Sequence, residues 1–102
     1  MSKDPNQAHL EVWFVDVRGS REPLTRDDGQ GGSTHEYQAA EAGRYAAAQA
    51  FKHQPWKPGL AKIDLLEFDP KGRLIRKDTR EFDDEGQELK SYSETFDPDA
   101  SS

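Results

Sequence analysis

The residues whose types could do chemistry fall into three groups: a carboxylate among apolar neighbours (Asp16), three histidines (His9, His35, His53), and three arginines (Arg18, Arg21, Arg26) that follow Trp13. A carboxylate poised for general acid–base work needs an apolar pocket that keeps its proton. Asp16 alternates with Val12 and Phe14, so it is the best candidate for that role, with His35 beside it at a cleft mouth. Its position just before Arg18 and Arg21 favours the structural alternative, an ion pair at a strand end. The histidines are too scattered for a metal-site spacing. His35-Glu36 has no second histidine four residues on, and there is no cysteine to supply a thiolate. His35 and His53 read as surface residues near helix ends, where His53 would complement the C-terminal dipole. There is no G-x-S-x-G elbow either. The residues name no catalytic group, metal site or cofactor, and the expectation is a protein that is not an enzyme.

The arginines suggest a different chemistry. Arg18, Arg21 and Arg26 with Trp13 and Trp56 would form an aromatic and cationic patch of the kind that holds single-stranded nucleic acid or a phosphate ligand. The chain as a whole opposes this. Its formal charge is −6, and a binder of phosphate backbones draws its affinity from a positive footprint. The glycine-rich stretch Asp27 to Ser33 matches neither the dinucleotide nor the P-loop spacing and reads as a flexible linker. Nucleic acid is therefore the alternative ligand. The acidic turn Asp83-Asp84-Glu85 reads as solvated, because Arg73, Arg76, Lys77 and Arg80 break up any acidic surface around it.

One helix and four strands must position these groups. His9 to Arg18 is apolar on both alternating sides, as an internal strand would be. Residues 19–33 read as a flexible loop, in which the Gly19-Ser20 turn allows but does not require a short return strand over Arg21 to Thr25 that Pro23 would confine to a sheet edge. The capping box Ser33-x-x-Glu36 opens an alanine-rich helix from about Thr34 to about His53, which Gln54-Pro55 ends. Tyr37, Ala40, Gly43, Ala47, Ala50 and Phe51 share one face of it, and Arg44 borders that face within reach of Glu41. Leu60 to Phe68, Arg73 to Phe82 and Gln87 to Phe96 complete the set as three strands.

Those three strands carry the only internal regularity. Phe68-Asp69-Pro70-Lys71-Gly72, Phe82-Asp83-Asp84-Glu85-Gly86 and Phe96-Asp97-Pro98 begin at fourteen-residue intervals. The first two suit a type I turn closed by a left-handed glycine. Phe68 to Leu74 (Phe-Asp-Pro-Lys-Gly-Arg-Leu) resembles the tyrosine-aspartate repeats of large Rhs-type shell proteins. The resemblance covers under a third of the chain, and two copies cannot build a shell, so it implies hairpin turns and no activity. Counting register from the turns places Phe68 opposite Leu74, Leu74 opposite Phe96 and Leu60 opposite Phe82. All three phenylalanines then share one side of the sheet, with Arg76 paired to Glu94. The helix belongs on the other side, over Ala61, Ile63, Leu65, Ile75 and Leu89.

The fold class that follows is α+β in two layers, with the order strand–helix–strand–strand–strand and one alanine-rich helix on a mainly antiparallel four-stranded sheet. The first strand lies parallel to the second through a right-handed crossover. A single domain spans 9–96, between a disordered leader (1–8) and tail (97–102). With 32% apolar and 33% charged residues the core is small. The lack of cysteine and of any long apolar run points to a cytoplasmic protein with no membrane segment. The function expected is that of a small acidic protein-binding module: a regulator, inhibitor or accessory subunit. It would engage another protein through Phe68, Phe82, Tyr92, Phe96 and Arg76. An edge or face of the sheet also admits a homodimer.

Overall fold

The structure, a computed structural model, describes residues 8–27 and 29–97. The expected leader over 1–7 and tail over 98–102 lie outside the described residues. In chain order the elements are β1 (His9–Asp16), β2 (Arg21–Pro23), β3 (Arg26–Asp27), β4 (Ser33–Thr34), β5 (Glu36–Gln38), α1 (Glu41–His53), β6 (Leu60–Phe68), β7 (Leu74–Phe82) and β8 (Glu88–Thr95). The class is α+β: one helix packs on an antiparallel sheet ordered β2-β1-β6-β7-β8, with β5 also paired to β1. β3 and β4 form a separate two-stranded ribbon.

β1 sits inside the sheet because both of its alternating faces are largely apolar. One edge pairs with β6, from His9 opposite Phe68 to Val15 opposite Lys62. The other edge is shared end to end, by β2 at Trp13 to Val15 and by β5 at His9 to Glu11. The return strand that the Gly19-Ser20 turn allows is present over Arg21–Pro23, with Pro23 at its end and on a sheet edge.

Two expectations about this half of the molecule are corrected. The helix begins at Glu41 rather than near Thr34, because Ser33–Thr34 and Glu36–Gln38 are extended. The Ser33-x-x-Glu36 pattern gives way to pairing, since β5 satisfies backbone groups on a β1 edge that would otherwise be bare. Ala40 caps the helix without a side-chain hydrogen bond. Secondly, β1 and β6 are antiparallel, not parallel. β5 reverses the chain once more before the helix, so the parallel pair joined by α1 is β5 and β6, with β1 lying between them.

The helix face is largely as expected. Ala47 and Phe51 are buried, and Ala50 packs against the same core. Tyr37 joins that core from β5 rather than from the helix. Gly43 lets the helix approach β5 so closely that a Cβ there would lie 1.9 Å from the Gln38 carbonyl oxygen. Leu10, Val12, Ile63 and Leu65 form the bed beneath, with Val12 and Ile63 at 0% exposure.

Register is where single residues matter most. Both hairpin turns form as the sequence predicts, with Gly72 at φ +82° and Gly86 at φ +86°, and Phe68 stands opposite Leu74. Each hairpin also carries a bulge, at Ile75 and at Leu89, and Ala61 forms a third against β1. One extra residue moves everything beyond it to the other side of the sheet. The three phenylalanines therefore do not share a face. Phe68 pairs with His9 on the side away from α1, while Phe82 is buried in the core with Phe51 and Leu60. Ile63 and Leu65 do bed the helix; Ala61, Ile75 and Leu89, expected beside them, are the bulged residues. No helix among the described residues is long and apolar enough to cross a membrane.

Candidate functional site

The β7–β8 hairpin ends the main sheet on one side. α1 packs on β1, β5 and β6, meets β7 through side chains, with Arg80 donating to the Phe51 carbonyl and Phe82 in the Phe51 core, and does not pack on β8. β8 is the last strand of the sheet, and all eight of its residues are exposed. Most globular proteins shorten, bulge or cover such an edge, because its unpaired backbone groups template pairing with another chain. Here Leu89 (62% exposed), Tyr92 (37%) and Phe96 (42%) add apolar surface to it.

The two sides of this hairpin differ. On the helix side, the uncovered floor is a groove of about 460 Å³ between α1 and β8, lined by Arg44, Lys52, Glu67, Arg76, Asp78 and Ser93 among others. Arg44 donates to Glu67 at 2.7 Å, and that hydrogen bond raises its pKa above the ordinary arginine value. Arg76 pairs with Asp78 at 3.4 Å, and Asp78 also accepts from the Ser93 hydroxyl. On the far side, Tyr92 donates its hydroxyl to Glu81 at 2.7 Å, and this bond, with partial desolvation, raises the phenol pKa. Lys77 stands 3.7 Å from Glu94, and the Lys90 ammonium lies 5.5 Å from the Tyr92 ring centre. Thr79, flanked by this row, donates to the buried Asp64 carboxylate at 2.9 Å.

The residues expected at a partner surface are thus divided. Tyr92 and Phe96 are exposed on β8 and just beyond it, and Arg76 lines the groove. Phe68 is half-buried, its ring stacked on His9 at 4.8 Å. Phe82 belongs to the core and is not available for contact. Arg76 and Glu94 face opposite sides of the sheet, so the expected ion pair does not form; Lys77 takes Glu94 instead. Arg44 likewise chooses Glu67 over Glu41.

The alternative cationic patch is also dispersed. Arg21 lies over Trp13 at 5.1 Å, which does join a cation to an aromatic face. Arg26 instead caps the Tyr37 ring at 4.3 Å and donates to the Glu36 carbonyl. Trp56 packs against the core, donates to the Leu60 carbonyl and presses on Gly86, where a Cβ would meet its ring at 2.6 Å. Arg18 is exposed in the β1–β2 turn, and its backbone N–H reaches Asp16. That bond and one from the Ser20 N–H engage the Asp16 carboxylate as a turn cap. His35, its proposed partner in acid–base work, packs edge-on to Trp13 instead.

One constellation assembles only in the fold, because Glu36 is far from His9 and Glu11 in sequence. His9, Glu11 and Glu36 converge on the side of the sheet away from α1, with His9 Nε2 at 3.0 Å from Glu11 and 3.5 Å from Glu36. Their ligating atoms all lie within 4.8 Å of one another, so among the described residues these three could hold a cation. Trp13 orients Glu11 through a 2.8 Å bond from its indole N–H. The His9-x-Glu11 spacing puts two ligating groups on one face of a strand, which is a signal the sequence does contain; only the pairing of β5 with β1 supplies the third.

No family model matches the chain, and no curated protein or solved structure is significantly similar to it.

Proposed function

We propose that this chain is a small, non-enzymatic protein-binding module, a regulator, inhibitor or accessory subunit, that engages a partner through the β7–β8 side of its sheet. The observation that carries the reading is β8 itself: eight exposed residues on an outer strand, with Leu89, Tyr92 and Phe96 presented among charges. Apolar anchors within a polar rim, next to an open hydrogen-bonding edge, suit strand addition by another chain. Arg76 and the groove beside it extend the surface on the helix side. The carboxylates best placed for acid–base work have structural duties, Asp16 in a turn and Asp64 on Thr79, which agrees with a non-catalytic role. A cytoplasmic setting suits a chain without cysteine.

Affinity capture with the intact protein, compared with a Leu89→Ser/Tyr92→Ser/Phe96→Ser variant, tests the reading. The native chain should retain a stoichiometric protein, whether another chain or an untagged second copy of itself, that the variant loses. Equal capture by both, or by neither, contradicts it.

The second reading, a nucleic-acid or phosphate ligand, draws on the Arg21–Trp13 contact. It predicts salt-sensitive retention of a labelled single-stranded oligonucleotide, abolished by Arg18→Ala/Arg21→Ala/Arg26→Ala. No retention at low salt removes it.

A further inference from the structure

We infer that the partner for β8 is β8 of a second copy of this chain, in one register with Tyr92 on the two-fold axis. The inference rests on the reading of the β7–β8 side as a contact surface and names its occupant.

Backbone direction is the first constraint. The Phe96 N–H donates to the Ile75 carbonyl at 2.9 Å, and β7 and β8 stay in unbroken register from Arg76–Thr95 to Glu81–Lys90. In an antiparallel pair, residues alternate between turning both backbone groups toward the partner and turning both away. Lys90, Tyr92 and Glu94 therefore face β7, and Ser91, Ser93 and Thr95 turn their N–H and C=O groups outward at the sheet edge. A two-fold axis perpendicular to the sheet would bring these outward residues together from two chains and keep each face continuous.

Charge then selects among the registers. With the axis at Tyr92, Ser91 meets the second copy's Ser93 as a hydrogen-bonded pair, and Lys90 stands opposite Glu94 on both sides of the axis. With the axis at Lys90 or Glu94, identical charges oppose each other. At Ser91, Lys90 faces Tyr92, and Glu88, turned to the helix side beyond the Leu89 bulge where it pairs with Arg80, does not meet Glu94; at Ser93, Tyr92 faces Glu94 and Lys90 faces Phe96; no ion pair forms in either. Opposite charges directly across a strand pair stabilise it and like charges destabilise it, so the Tyr92 register is the self-complementary one. Lys77, already 3.7 Å from Glu94, would extend each Lys90–Glu94 contact into a three-residue network. The helix does not obstruct it, since α1 packs on β1, β5 and β6 and not on β8.

The register gives the test, carried out on the full chain, which contains no cysteine. A non-hydrogen-bonded antiparallel pair holds its Cα atoms about 4.5 Å apart, within the span a disulfide bridges. Tyr92→Cys should therefore form a covalent dimer under mild oxidation. Lys90→Cys and Glu94→Cys should each stay uncoupled alone yet couple when mixed. In sedimentation, Lys90→Glu should weaken self-association of the otherwise native chain by at least about tenfold, and Lys90→Glu/Glu94→Lys should restore it. A chain that is monomeric at every concentration, or cysteine variants that couple without regard to position, overturns the inference. If the monomeric chain nevertheless loses a captured protein on mutation of Leu89, Tyr92 and Phe96, the contact surface stands and only its occupant is wrong. If nothing is captured either, both readings fall.

Discussion

The two halves of this sheet are built from similar strands and reach opposite ends. β1 and β6 are nine-tenths or more buried at Leu10, Val12, Ile63 and Leu65, under a helix whose small residues allow close approach. β7 and β8 are joined by the same class of turn, yet β8 buries no residue. Burial of apolar surface is the main favourable term in folding. The first half therefore supplies most of the stability, and the second is held by its hydrogen-bond ladder, its turns and the Phe82–Trp56 corner. A strand that contributes so little to the core is free to serve a partner.

The largest effects should separate the halves. Ile63→Ala should cost about 3–4 kcal/mol in urea denaturation, through lost burial and a cavity, whereas Leu89→Ala should change stability by less than about 0.5 kcal/mol. Comparable costs at the two positions would show that β8 is part of the core.

The two hairpin glycines sharpen the contrast. Gly72 and Gly86 both have positive φ, but a Cβ at Gly72 meets open space, and one at Gly86 meets the Trp56 ring at 2.6 Å. Gly72→Ala should cost about 1–2 kcal/mol for the left-handed backbone alone. Gly86→Ala should cost about 1–3 kcal/mol more, with a change in tryptophan fluorescence. Equal costs would mean that Trp56 does not brace the second turn.

A smaller effect is expected where the halves join. Thr79→Val keeps the shape but removes the donor to buried Asp64, for about 1–3 kcal/mol by chemical denaturation.

The smallest is a pH effect at the first turn. The Arg73 backbone N–H bond lowers the Asp69 pKa, and the Arg73 side chain and Lys71 N–H act in the same direction. A folded pKa below the unfolded one stabilises above the unfolded value and is lost as pH falls through the folded value. The stability difference between the native chain and Asp69→Ala should therefore narrow on acidification below the ordinary 3.8. A difference that stays constant to acid pH would detach the carboxylate from the turn.

What could be read from the sequence follows the range of each interaction. The turns at Asp69 to Gly72 and Asp83 to Gly86 are local, and both form as their residues dictate. The alanine-rich helix is legible from Glu41 onward, with Pro55 beyond its end. Its start is not, because pairing of β5 with β1 overrides a local capping pattern. The bulges at Ala61, Ile75 and Leu89 have no composition of their own, and they decide that Phe82 turns inward while Tyr92 and Phe96 stay outside. Tyr92, Phe96 and Arg76 were thus identifiable as surface candidates, whereas the His9, Glu11 and Glu36 cluster needed the fold.

Amide hydrogen exchange as a function of protein concentration tests the central claim most directly. If β8 pairs with β8 of a second copy, Ser91, Ser93 and Thr95, with outward amides, exchange rapidly in dilute solution and become protected as concentration rises. The amides of Trp13 and Ile63, turned toward neighbouring strands inside the sheet, stay protected throughout. Outward β8 amides that exchange at the same rate at every concentration, or that match the core amides when dilute, would contradict it.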